Sequence, residues 1–140
     1  MIVVLSGGFD PIHVGHVRMI QAAAKIAPVV ILGLNSDEWL IRKKGKAFMP
    51  FEERREILLA IYGVTHVLAF ADNDDTASDL LRCVRKENPD QKICFGNGGD
   101  RTTENVPEQA TCKELDIEMM WSLGGGKVQS SSSLIKEGAM

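Results

Sequence analysis

Two histidines carry the first chemical signal. His13 and His16 stand three residues apart in Ser6-Gly7-Gly8-Phe9-Asp10-Pro11-Ile12-His13-Val14-Gly15-His16. That spacing puts both imidazoles on one face of a helical turn. Gly15 leaves space beside the rings, and Gly7 and Gly8 let a backbone approach a bulky ligand without a Cβ clash. Imidazoles donate hydrogen bonds to phosphate oxygens, more strongly as negative charge builds there. A helix starting at this point adds unpaired N–H groups and a dipole that favours an anion. Zinc is the competing chemistry. It needs a third ligand, and no HExxH motif, nearby cysteine or third local histidine is present. His66 is the only other histidine, so no metal-ligating residue is expected. Gly45-Lys46-Ala47 and Gly126-Lys127-Val128 lack the Ser or Thr that follows the lysine of a P-loop, and no GxGxxG follows the first apolar run.

Four further segments hold polar groups that could act with the histidines. Arg42, Lys43, Lys44, Lys46, Arg54 and Arg55 are six of the 16 basic residues. They form either a solvated face or a basic loop that closes on a polyphosphate. Asn35-Ser36-Asp37 is, by itself, a helix cap. Phe95-Gly96-Asn97-Gly98-Gly99-Asp100-Arg101 reads as a tight turn, or as bare backbone against which a base can lie. Ser130 to Ser133 offers hydroxyls and free N–H groups at the start of a last helix, a second anion cradle.

These segments need a frame. Ile2 to Leu5 and Val29 to Leu34 are continuous apolar runs, the pattern of buried parallel strands. Weaker strands are expected at 66–70, 92–95 and 117–121. Helices are expected over Val14–Ala27, Ser36–Lys43, Pro50–Tyr62, Thr76–Glu87 and Pro107–Leu115, with a last one beginning near Ser132. Pro50 stands at a favoured helix-start position. Strand and helix alternate five times, which predicts a Rossmann-like three-layer α/β/α domain with a five-stranded parallel sheet. Ligands in such sheets bind beyond the carboxyl ends of the strands, where the segments above fall.

The chain has 140 residues, with 16 Lys+Arg against 19 Asp+Glu and a net charge of −3. That length predicts one domain, residues 1–140. With 44% hydrophobic and 25% charged residues, the composition is that of a globular protein. Mild acidity argues against nucleic acid as a partner. No apolar run is long enough to span a bilayer, and the first residues do not read as a signal peptide. Cys83, Cys94 and Cys112 form no CxxC pair and are expected as free thiols in a reducing cytoplasm.

Gly8 to His16 resembles the HxGH signature of the nucleotidyltransferase superfamily, which includes heptose-phosphate adenylyltransferases, glycerol-3-phosphate cytidylyltransferases, pantetheine-phosphate adenylyltransferases and nicotinate-mononucleotide adenylyltransferases. Later segments match in order. Asn35-Ser36-Asp37 is similar to the NSD turn of heptose-phosphate adenylyltransferases. Lys-Gly followed by Pro and Glu-x-Arg matches the family's phosphate-contacting Lys and Arg. Phe95 to Arg101 resembles a KGGD-type turn, with Asn97 where Lys is usual. Ser130 to Lys136 is similar to the superfamily's serine-rich helix start. Gly124-Gly125-Gly126-Lys127 departs from the Arg-Thr-Glu-Gly of glycerol-3-phosphate cytidylyltransferases.

The resemblance implies transfer of AMP from ATP to a phosphorylated acceptor, a sugar or polyol phosphate, with release of pyrophosphate. CTP with glycerol 3-phosphate or a similar polyol phosphate is the alternative. A non-catalytic nucleotide-binding domain and a flavodoxin-like redox domain are the readings from other classes. The implied catalytic residues are His13, His16, Lys46 and Arg54, with Lys44 a rival to Lys46. Nucleotide contacts would come from Gly7, Gly8, Phe9, Asp10, His13, His16, Gly98, Asp100, Ser131, Ser132 and Ser133. Asp10, Asn35 and Lys44 would meet the acceptor, with holding a metal water the alternative role for Asp10. Mg2+ would bridge phosphates with few protein ligands, and a homodimer is implied.

Overall fold

A computed structural model describes residues 1–97, 106–121 and Leu123. In chain order the elements are β1 (Ile2–Gly7), α1 (Val14–Ile26), β2 (Val29–Leu34), α2 (Asp37–Lys44), α3 (Phe51–Leu59), β3 (His66–Ala69), α4 (Ser78–Glu87), β4 (Ile93–Gly96), α5 (Gln109–Glu114) and β5 (Glu118–Met120). The five strands form one sheet in the order β3-β2-β1-β4-β5, and every pairing is parallel. The expected three-layer α/β/α architecture is present.

The apolar run that opens the chain becomes the central strand because both of its faces are covered. Val3 and Leu5 pack with Ile20 and Ala23 of α1 and Leu58 of α3. Ile2 and Val4 point the other way and pack with Leu80, Leu81 and Val84 of α4 and Cys112 of α5. Val3, Val4 and Leu5 are fully buried. Truncating such a side chain to alanine costs about 2–5 kcal/mol, so β1 is a rigid base for the turn that follows it.

Several helices are shorter than the sequence implies, two of them for reasons visible in the bonding. The expected Pro50–Tyr62 helix ends at Leu59, because Ala60 and Ile61 switch to i→i−3 bonds on Ile57 and Leu58. The expected Thr76 start moves to Ser78. Thr76 is held in a local turn by Asp74, and the Ala77 N–H donates to Glu108 instead of opening a helix. The helix expected near Ser132 lies outside the described residues.

At the amino end of the sheet, Arg85 ties two helix ends together. Its guanidinium donates to the carbonyls of Asn88 and Gln91 after α4, and to those of Leu115 and Asp116 after α5, at 2.8–3.2 Å. All three cysteines are free thiols; Cys83 is exposed, while Cys94 and Cys112 are buried. Burial pushes the Cys112 thiol up to about 11. Among the described residues no helix is long and apolar enough to cross a membrane.

Candidate functional site

The turn between β1 and α1 sits at the carboxyl end of the central strand. Phe9 holds a left-handed φ of 49° there. That conformation is uncommon for a bulky residue, and it is held by packing: Phe9 is 2% exposed and its ring meets the His16 ring at 4.8 Å between centroids.

His13 is the N-cap of α1. Its Nδ1 accepts the Gly15 N–H at 3.1 Å, and its own N–H donates to His16 Nδ1 at 3.2 Å. The two rings stack with centroids 3.8 Å apart and planes 21° apart. Gly15 is required between them, since a Cβ there would stand 2.9 Å from His13 Cε1. Both Nδ1 atoms therefore serve as acceptors for backbone donors. The bonding network assigns the proton of each neutral ring to Nε2. Capping and ligand binding do not compete here, because they use opposite nitrogens.

The electrostatics keep the rings neutral. Burial pulls His16 down to about 3, aided by the charges of His13 and Lys44. Burial, then Lys44, also lowers His13. Lys44 is itself lowered by burial and by Arg54, against the opposing pull of Asp10. Lys44 is thus near enough to both imidazoles for its charge to bear on them. Lys46, favoured over Lys44 by sequence position, is exposed, whereas Lys44 is half-buried and bears on both imidazoles. The arrangement offers two Nε2–H donors and one cation at a helix N-terminus, a group able to hold a polyphosphate.

Two expected site residues have other work. Asp10 is fully buried, and its carboxylate oxygens accept the N–H groups of Phe48 and Met49 at 2.6 and 2.7 Å. Rather than reaching an acceptor or a metal water, it pins the basic loop to the β1–α1 turn. Arg54 corrects the reading of that residue as a phosphate contact. Its side chain is 0% exposed. Its Nε donates to the Met49 carbonyl, and one Nη to the carbonyls of Gly8 and Asn35. The other Nη binds Asp37 at 2.6 Å. Arg54 thus locks four segments of the site together, while Arg55 faces solvent.

Asn35 is also buried. Its amide donates to Asp72, which accepts in addition from the backbone N–H and hydroxyl of Ser36. Asp72 carries no local signal of this role, which depends on a contact 37 residues away. Gly8 lies under α2, where a Cβ would stand 2.9 Å from Leu40 Cδ2. Gly7 closes β1, and a Cβ there would touch the Phe9 ring. Gly98, Asp100, Ser131, Ser132 and Ser133 lie outside the described residues. Also among those described, no group of three or more His, Cys, Asp or Glu side chains forms a metal cage.

Known proteins resemble the chain as follows. The cytidylyltransferase-like family profile matches residues 4–137. The bifunctional protein HldE of Syntrophotalea carbinolica is 36% identical over 107 residues, covering 75% of this chain and 20% of that protein. The bifunctional protein HldE of Sulfurimonas denitrificans is 34% identical over 118 residues, covering 83% of this chain and 23% of that one. The chain thus spans about a fifth of the length of these curated relatives. A bifunctional NMN adenylyltransferase/ADP ribose pyrophosphatase from Francisella tularensis superposes with a TM-score of 0.71 at 15% identity, over 97% of this chain and 41% of that one. The lipopolysaccharide core biosynthesis protein from Thermoplasma volcanium superposes with a TM-score of 0.64 at 19% identity, over 86% and 93%. At these identities the structures share the fold.

Proposed function

The chain belongs to the cytidylyltransferase-like family, and from that premise we propose that it transfers the AMP group of ATP to a phosphorylated sugar or polyol, releasing pyrophosphate. The observation that carries this reading is the stacked imidazole pair, with both Nδ1 atoms held by backbone N–H groups and both Nε2 protons left to donate. The resemblance of Asn35-Ser36-Asp37 to the turn of heptose-phosphate adenylyltransferases supports an adenylyl donor and a sugar phosphate acceptor.

The chemistry needs little covalent help from the protein. The acceptor phosphate is anionic at neutral pH and attacks the α-phosphorus directly. A phosphorus–oxygen bond forms to the acceptor as the bond to the β-phosphate bridging oxygen breaks, and pyrophosphate leaves with the electron pair. Catalysis reduces to alignment and charge stabilisation. His13 and His16 donate from Nε2 to phosphate oxygens, and Lys44 adds a fixed positive charge. Asp10 and Arg54 hold the turns that carry these groups. Mg2+ enters as part of the nucleotide substrate, held by phosphates and water rather than by a protein cage.

A pyrophosphate-release screen of each nucleoside triphosphate against sugar phosphates, polyol phosphates and nucleotide acceptors, with Mg2+, tests the reading. Release with ATP and a sugar or polyol phosphate supports it. Release with CTP alone overturns the donor assignment, and no release with any pair overturns the transferase reading.

A further inference from the structure

Among the described residues two buried polar side-chain atoms have no hydrogen-bond partner: the Trp39 indole Nε1 and Glu108 Oε1. Both side chains line the same cavity of about 110 Å³. It lies beyond the carboxyl ends of β1, β2 and β3, with Ser6, Asn35, Phe70 and Thr76 among its walls. Glu108 is only 4% exposed. Its other oxygen accepts the Ala77 N–H at 2.8 Å, which fixes the carboxylate and leaves Oε1 over. An unmet donor and an unmet acceptor, both buried and both on residues that line one cavity, are exceptional in folded proteins and call for an occupant.

The chemistry of the walls selects that occupant. A hydroxyl both donates and accepts, so hydroxyl groups can satisfy Trp39 and Glu108 together. The Glu108 carboxylate disfavours an anion beside it. A phosphorylated molecule would therefore enter hydroxyls first and leave its phosphate outside. The imidazoles lie on the other side of the same turn: Gly7 lines the cavity, and Phe9, two residues on, touches His16. The volume holds a few water-sized groups, at roughly 30 Å³ of liquid per water. That suits a short hydroxylated carbon chain or one edge of a sugar.

We infer that this cavity binds the hydroxyl groups of the acceptor, with Trp39 donating to them and Glu108 accepting from them. Its assignment to the acceptor rests on the transferase reading; its preference for hydroxyls does not. Trp39 and Glu108 are then specificity residues, selecting polyol and sugar phosphates over phosphates without hydroxyls.

Indole N–H resonances test this directly. The chain has two tryptophans, so Trp39→Phe assigns the signal. Glycerol 3-phosphate and a hexose 1-phosphate are the probes. Propyl phosphate, which keeps the phosphate and lacks the hydroxyls, is the control. The probes should shift the Trp39 signal and propyl phosphate should not. Glu108→Gln keeps an oxygen for the Ala77 N–H but replaces the free acceptor with a donor. It should weaken probe binding by roughly 10–100-fold while ATP affinity stays within about twofold. A Trp39 signal that ignores the probes, or answers propyl phosphate equally, overturns the inference. So does a Glu108→Gln protein that loses ATP and probe affinity together, or a cavity that holds only water at saturating probe. A shifted indole without pyrophosphate release under any pair would sink the transferase reading and leave the hydroxyl site standing. Release with an unresponsive indole would do the reverse.

Discussion

Two arginines at opposite ends of the sheet use the same bonding for different ends. Arg54, at the carboxyl edge, and Arg85, at the amino edge, each make four hydrogen bonds, mostly to backbone carbonyls. Arg85 is half-buried and joins the tails of α4 and α5, with no neutral imidazole or unpaired buried acceptor around it among the described residues. Arg54 is completely enclosed, carries the Asp37 ion pair and joins the turns that hold the imidazole pair. One arginine maintains a fold; the other maintains a fold and a site. The difference lies in what surrounds the clamp rather than in the clamp itself.

The sharpest way to break the comparison is to remove each clamp. Arg54→Ala releases Asp37, which is 37% exposed, to water and takes the arginine donor from three carbonyls. Hydrogen bonds to a charged group are worth about 1.5–3 kcal/mol each, and lost packing of the enclosed side chain adds to that. Denaturant unfolding should show that loss, and nucleotide binding by the remaining folded protein should fall with it. Arg54→Lys should recover only part of the loss, because an ammonium lacks the planar fork. If Arg54→Ala were as stable as the parent, its role as the lock of the site would be wrong.

His16→Ala separates chemistry from folding at the same edge. Loss of one transition-state donor lowers turnover by about 10²–10³-fold. Circular dichroism and the folded fraction should be unchanged. Near-normal turnover would count against the imidazole assignment.

Arg85→Ala should cost about 1–3 kcal/mol in unfolding experiments, with kcat and both KM values unchanged per folded molecule. A loss of kcat here would erase the distinction between the two edges.

The last test is a pH dependence. The His16 pKa is about 3 in the fold against an ordinary 6.5, so as pH falls the unfolded chain takes up the proton first. Stability from this group is complete above about 6.5 and is lost as pH drops toward 3. His16→Gln should flatten that part of the Tm-against-pH curve relative to the parent. Parallel curves would contradict the neutral, buried imidazole.

Local patterns were readable from the sequence and long-range commitments were not. The run Ile2 to Leu5 shows itself as a central strand because it has no polar face, and His13, Gly15 and His16 form their motif within one turn of chain. Arg54 is different. Its side chain looks like any cation after a lysine-rich loop, and its partner at Gly8 is 46 residues away. Asp10 likewise looks like a free carboxylate until Phe48 and Met49 fold over it. The lysine choice shifted from Lys46 to Lys44 because Lys46 is exposed, while Lys44, the last residue of α2, bears on the charge of both imidazoles. Glu108 gave no signal at all: its meaning depends on an oxygen that nothing in the fold satisfies.

The central claim is that both rings present Nε2–H to a polyphosphate while Nδ1 stays bound to backbone. Nitrogen NMR of the three labelled histidines during an ATP titration near pH 7 reads it directly. His13 and His16 should show bare Nδ1 and protonated Nε2 in the free protein, with the Nε2–H signals moving as ATP binds and His66 unmoved. Protonated Nδ1 atoms, or ATP binding that leaves both Nε2–H signals where they were, would contradict the account.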